Sequence, residues 1–204
     1  MKIEFWVDPI CPWCWVTARW IVDEVKHARN LNIIWQPISL LFKNNPDPGT
    51  DYHRISRFGL GLLRVMESAR HTEGEDAVFD LYWEFGRRIH HDNERSFDPE
   101  ACLTATGYHI DHAQAFNSSK WDAEIRKRMN SGLVLTGEDV GTPIIALKNR
   151  DNVKCGYFGP VITRVPPHKD SLLLWDSLVS MMNVEGFWEL KRTRTERPQP
   201  GKRP

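Results

Sequence analysis

Cys11 and Cys14 are separated only by Pro12-Trp13, and the pair stands just beyond a strand pattern, where a helix pattern begins. Two thiols at this spacing on the first turn of a helix can close into a disulfide and reopen. A helix N-terminus carries roughly half a positive charge, which favours a thiolate at Cys11 over a thiol. A thiolate is the nucleophile of thiol–disulfide exchange, and a second thiol close by resolves the mixed disulfide. The same spacing opens zinc sites, but zinc wants a second cysteine pair or two histidines at ligand spacing. Cys102 and Cys155 lie far apart, His90-His91 are adjacent, and His109 and His112 have no cysteine near them. The spacing therefore points to redox chemistry with no metal and no tightly bound cofactor. A zinc-stapled binding protein is the non-catalytic alternative.

The elements that must position this pair follow from periodicity. Ile3, Phe5 and Val7 alternate with Lys2, Glu4 and Trp6, a strand ended by Asp8-Pro9. Pro12 suits a first helical position, where its missing N–H costs nothing. Val16, Trp20, Ile21, Val25 and Ala28 then recur at helical spacing. Residues 32–37 read as a second strand, so the first 50 residues form a parallel βαβ half. From 51 to 137 the pattern is helical almost throughout, with expected segments at 51–71, 76–92, 99–107, 109–117 and 119–135. Asp98 before Pro99 reads as an N-cap. Strand signal returns in Thr142–Leu147 and Val153–Phe158, an expected antiparallel hairpin, followed by a helix from about Lys169 to Met182. The basic tail from Lys191 is expected to be ordered only near its start. Residues 138–204 thus form a second half, and the helical stretch reads as a subdomain inserted between the two.

Composition narrows the classes. Acidic and basic side chains balance at 27 each, without the basic excess of a nucleic-acid or membrane-surface binder. Trp6, Trp13, Trp15, Trp20 and Trp35 read mostly as core, with Trp13 alone placed for exposure between the cysteines. No apolar run approaches the ~20 residues of a membrane helix. Glu4 and Asp8 interrupt the N-terminal apolar stretch, so a secretory signal is not expected. The expectation is a cytoplasmic protein, with Cys102 and Cys155 reduced and structural.

Strand, CxxC helix, strand, helical insertion, hairpin, helix is the order of an α/β thioredoxin-like fold, a mixed four-stranded sheet with a large helical insert. The chain resembles the DsbA-like thioredoxin-fold oxidoreductases, and within them the actinobacterial mycothiol-dependent nitroreductase group. The resemblance rests on Asp8–Trp15, Gly137–Pro143, Phe158–Val161, Leu174–Asp176 and Glu189–Glu196, so it covers nearly the whole chain. It implies that Thr142-Pro143 forms the cis-proline loop packed against the cysteines, where the Thr142 backbone pairs with an incoming thiol chain. Cys11 is then the exposed attacking thiolate and Cys14 the more buried resolving thiol, with Pro143 completing the centre. Pro12 withholds a donor, leaving the amides of Trp13 and Cys14 to hold a thiolate, and Trp13 offers a flat wall to an aromatic substrate. The resemblance further implies mycothiol, or another low-molecular-weight thiol, as reductant, with nitro-aromatic or disulfide compounds as substrates.

Asn44 and Tyr52 are weaker candidates for the cleft rim. His90, in Arg87-Arg88-Ile89-His90-His91, is a candidate to lower the Cys11 pKa or anchor an acidic thiol, against a plain helix C-terminal cation. A homodimer is left open, since no apolar face can be located from sequence. Two other reactions use the same fold: a DsbA-type dithiol oxidase or disulfide isomerase, and a thiol-dependent isomerase or transferase, which usually lacks the second cysteine.

Overall fold

A computed structural model describes residues 1–204. Four strands form one mixed sheet: β1 (Lys2–Val7), β2 (Asn32–Pro37), β3 (Ile144–Lys148) and β4 (Lys154–Phe158), in the order β2-β1-β3-β4. β1 runs parallel to β2 and antiparallel to β3, and β3 pairs antiparallel with β4. Helix α1 (Pro12–Trp20) follows β1 and runs into a π-helical turn at Ile21–Val25. That turn keeps both Ile21 and Val25 buried, so the apolar spacing reads through it as one helix. Short α2 (Leu40–Asn44) follows β2, its first turn capped by the Ser39 hydroxyl, which accepts from the Phe42 N–H.

Between β2 and β3 lie α3 (Asp51–Glu73), α4 (Glu75–His90), α5 (Pro99–Thr106), two 3-10 segments at Ile110–Asn117 and Ser119–Trp121, and α6 (Asp122–Thr136). The expected helix at 109–117 is thus a 3-10 helix, and the one at 119–135 starts as one. Asp98 does cap α5, its carboxylate accepting from the Glu100 N–H at 3.0 Å. Helix α7 (His168–Met181) closes the order.

The two faces of the sheet are both covered. Ile3, Phe5 and Val7 point into the larger core, which α1, α3, α4 and α7 share. Trp6, read as core although it alternates with Ile3, Phe5 and Val7, is fully buried on the opposite face of the sheet, beneath Met129 and Leu133 of α6. Its indole N–H donates to the Arg128 carbonyl at 2.8 Å, so the ring is buried without an orphaned donor. Period-two alternation could not announce this, because the covering helix comes more than a hundred residues later.

Aromatic rings sit in glycine notches of the helices. A Cβ on Gly132 would stand 2.7 Å from the Trp6 ring, and one on Gly86 would stand 2.1 Å from Trp15. The Gly86 notch joins α4 to the helix that carries the cysteines. Arg70 adds a polar tie, donating to the Trp35 carbonyl of β2 at 2.6 Å from a buried pairing with Glu67.

The tail corrects another expectation. It folds back along the molecule as far as its last residues: the Gln199 N–H donates to the Thr163 carbonyl, Arg19 to the Lys202 carbonyl, and Arg203 grips Asp92 with two hydrogen bonds.

Candidate active site

The chain turns from β1 into α1 around Asp8. Its carboxylate accepts from the Ile10 N–H at 3.1 Å and from the Leu40 N–H at 2.8 Å, pinning the loop to the start of α2. The Asp8 carbonyl accepts the Cys11 N–H at 3.0 Å. Cys11 is the N-cap residue of α1 and Pro12 occupies its first turn, the placement expected from sequence. Cys11 Sγ lies 3.9 Å from the Thr142 carbonyl oxygen, and Cys14 Sγ lies 3.8 Å from that of Trp6. The Thr142–Pro143 peptide bond is cis, and the Thr142 hydroxyl donates to the Trp6 carbonyl at 2.8 Å. Residues 131 apart in sequence thus meet at the sulfur. Cys14 is fully buried and receives the Tyr82 hydroxyl at 3.7 Å.

The electrostatics differ from the expectation. Cys11 was expected to be exposed and a thiolate; it is only 7 % exposed and burial pushes its thiol up. The Cys14 and Asp8 charges act in the same direction, while the amides of Cys14 and Trp13 favour the thiolate. The helix-terminus donors are in place, as anticipated, but burial outweighs them. Cys14 is raised to about 11, again by burial first, with the Thr142 and Tyr82 hydroxyls opposing. Tyr82 itself is held well above its ordinary value by burial.

His90 also departs from expectation. Its Nε2 sits 2.8 Å from the Pro9 carbonyl, its ring stacks on Trp15, and burial drives it down to about 4. A neutral imidazole cannot act as a cation toward Cys11. Arg87 and Arg88 are committed to Glu84. Asn44 and Tyr52 hydrogen-bond to each other on the surface rather than reaching the cysteines. An open cleft of about 560 Å³ beside α2, lined by Phe42, His53 and Arg126 among others, includes neither cysteine. Cys102 is buried in α5 with its thiol pushed up to about 12, and Cys155 pairs across from Leu147, at the end of the sheet remote from Cys11. No three metal-ligating side chains gather anywhere in the chain.

Sequence reasoning missed the clamp made by Asp8, the Tyr82 contact, and a second cis bond at Gly159–Pro160, whose proline carbonyl accepts from Thr17 of α1 at 2.8 Å. Asp8 carried one usable signal, an Asp just before the turn into a helix. Tyr82 carried none, because α4 is read only as amphipathic.

Asp8 and His90 give opposite pH responses. The folded pKa of Asp8, about 7, lies above its ordinary 3.8. Its protonated form therefore contributes stability at low pH that is lost as pH rises through about 7. The folded pKa of His90, about 4, lies below its ordinary 6.5, so its contribution is present above 6.5 and lost as pH falls toward 4. Asp8→Asn removes the first response and leaves the second. The variant should lose stability on acidification across this window more steeply than the wild type, as followed by urea unfolding at several pH values. Equal pH slopes would show that Asp8 titrates normally.

A CxxC at the start of a helix, beside a cis-proline loop on this sheet, defines a DsbA-like thioredoxin-fold oxidoreductase. The chain belongs to the Rv2466c-like family, whose model, described as mycothiol-dependent nitroreductase Rv2466c, matches residues 10–192. Rv2286c of Mycobacterium tuberculosis, described as uncharacterized, is 24% identical over 95% of this chain and 82% of its own. Among solved structures, the cytosolic disulfide reductase DsbM from Pseudomonas aeruginosa superposes with a TM-score of 0.56 at 16% identity, covering 87% of this chain and 98% of that one. The probable DsbA oxidoreductase SCO1869 from Streptomyces coelicolor gives 0.56 at 13% identity, over 98% and 97%. No helix is long and apolar enough to cross a membrane.

Proposed function

We propose that the protein is a cytoplasmic reductase that cycles Cys11 and Cys14 between dithiol and disulfide, drawing electrons from mycothiol or a similar small thiol. The observation that carries this is the placement of Cys11 Sγ between the first amides of α1 and the Thr142 carbonyl, with Cys14 directly beneath. Pro12 and Trp13 complete the rim, and the backbone at Thr142 and Pro143 receives the incoming thiol chain.

Cys11 attacks one sulfur of a substrate disulfide as its proton passes to the other half, which leaves as a thiol, and a mixed disulfide forms on Cys11. Cys14, losing its proton, then attacks Cys11 Sγ, which releases the second substrate thiolate and leaves the Cys11–Cys14 disulfide. One mycothiol thiolate reopens that bond by attack at Cys11, and a second releases mycothiol disulfide. A nitro-aromatic substrate takes the same two electrons, with two protons, to give a nitroso product and water. The family's description supports this substrate class and reductant.

The test is Cys14→Ser incubated with mycothiol disulfide in the absence of free thiol. A single mycothiol retained on Cys11, seen by intact mass and released by dithiothreitol, is the expected product. Full turnover by this variant would exclude the two-cysteine cycle.

A further inference from the structure

The returning tail brings one side chain to the cysteines. The Arg194 guanidinium lies over the Trp13 indole, 5.2 Å from the ring centroid, and Trp13 is the half-buried residue between Cys11 and Cys14. We propose that Arg194 determines specificity by binding the anionic group of an aromatic substrate at this mouth, an inference that rests on the redox role of Cys11.

Three observations carry it. First, Arg194 is exposed and has no ion pair or hydrogen bond in the chain, whereas Arg164, Arg203 and Arg19 around it are each committed to a carboxylate. A stacked guanidinium with free N–H groups is the form in which arginine takes a carboxylate. Second, the chain just beyond it is held. Glu196 pairs with Arg164, and the Gln199 N–H donates to the Thr163 carbonyl at 2.7 Å. Beyond these, Arg19 and Asp92 anchor Lys202 and Arg203, so the segment that carries Arg194 is tied to the body on its C-terminal side. Third, charge is segregated here. In a chain of zero net charge, Lys191, Arg192 and Arg197 flank Arg194, and none of the three has a carboxylate partner. The only acid within the stretch 191–204, Glu196, is taken by Arg164.

The Trp13 indole selects the aromatic class: it is half-buried beside Cys11, itself only 7 % exposed, and offers flat apolar surface to an aromatic ring. Cation–π contact accounts for the resting position of Arg194 but leaves its donors open to a ligand.

The experiment uses the full-length reduced protein and two matched ligands, nitrobenzoate and the neutral nitrobenzamide, titrated by calorimetry at low salt. Wild type should bind the carboxylate about tenfold tighter, the scale of one charge-assisted pair at a partly exposed site. Arg194→Ala should erase that preference, and Arg194→Lys should keep part of it. In single turnover, Arg194→Ala should slow reduction of dithiobis(nitrobenzoate) by a similar factor and leave neutral dithiodipyridine within about twofold. Equal affinities in the wild type, or a preference that survives Arg194→Ala, would overturn the assignment. Selective binding of nitrobenzoate by a protein that reduces neither disulfide would uphold the anion site and overturn the redox cycle instead.

Discussion

Replacing Cys11 by serine should abolish turnover of disulfide and nitro-aromatic substrates, by at least about a thousandfold, the scale of losing a catalytic nucleophile. The variant should fold normally. Cys11 sits at an N-cap position, where serine is favoured, and its hydroxyl can donate to the Thr142 carbonyl that Sγ now faces at 3.9 Å. Cys14 cannot substitute as the attacking group, because it is fully buried behind Cys11 and faces the Trp6 carbonyl rather than the mouth of the site. The contrast with Cys14→Ser carries the diagnostic weight: one variant forms no mixed disulfide, whereas the other accumulates it. Steady-state rates with intact mass at each time point separate the two. Measurable turnover by Cys11→Ser at more than a few per cent of wild type would move the chemistry away from this pair.

Gly86→Ala should destabilise the protein by about 2 kcal/mol or more, although alanine is the better helix former by about 1 kcal/mol. The reason is the notch. A Cβ at position 86 would stand 2.1 Å from the Trp15 ring, a distance that real contacts never show. Trp15 cannot retreat easily: it is fully buried, stacks on His90, and donates its indole N–H to His91 at 3.0 Å. Because Trp15 follows Cys14 directly, its displacement should also shift the helix that carries the cysteines and lower activity. Urea unfolding of Gly86→Ala, and of the same change combined with Trp15→Leu, tests the cause. The smaller side chain should recover part of the loss, as expected for residues in contact. A stabilised Gly86→Ala would mean that helix propensity outweighs packing here.

Sequence alone was sufficient for the strand and helix order, the placement of Cys11 and Cys14 at a helix start, Pro12 at the first helical turn, the Asp98 cap and the cis-proline at Pro143. Each is a local signal: a two-residue spacing, a period, a proline beside a cap, or a motif recognisable as that of the DsbA-like proteins. The errors share one physical cause, which is that burial belongs to the assembled chain. A helix start argues for an exposed thiolate, yet the fold closes over Cys11 and raises its pKa. His90 reads as a cation at a helix end until Trp15 and the Pro9 carbonyl enclose it. The basic tail reads as solvated chain until Thr163, Arg164, Arg19 and Asp92 hold it against the body. Periodicity and spacing thus determined which elements form and where the thiols stand. Desolvation and contacts between distant residues, which only the tertiary structure supplies, decided the charge state of those thiols and brought Arg194 over Trp13.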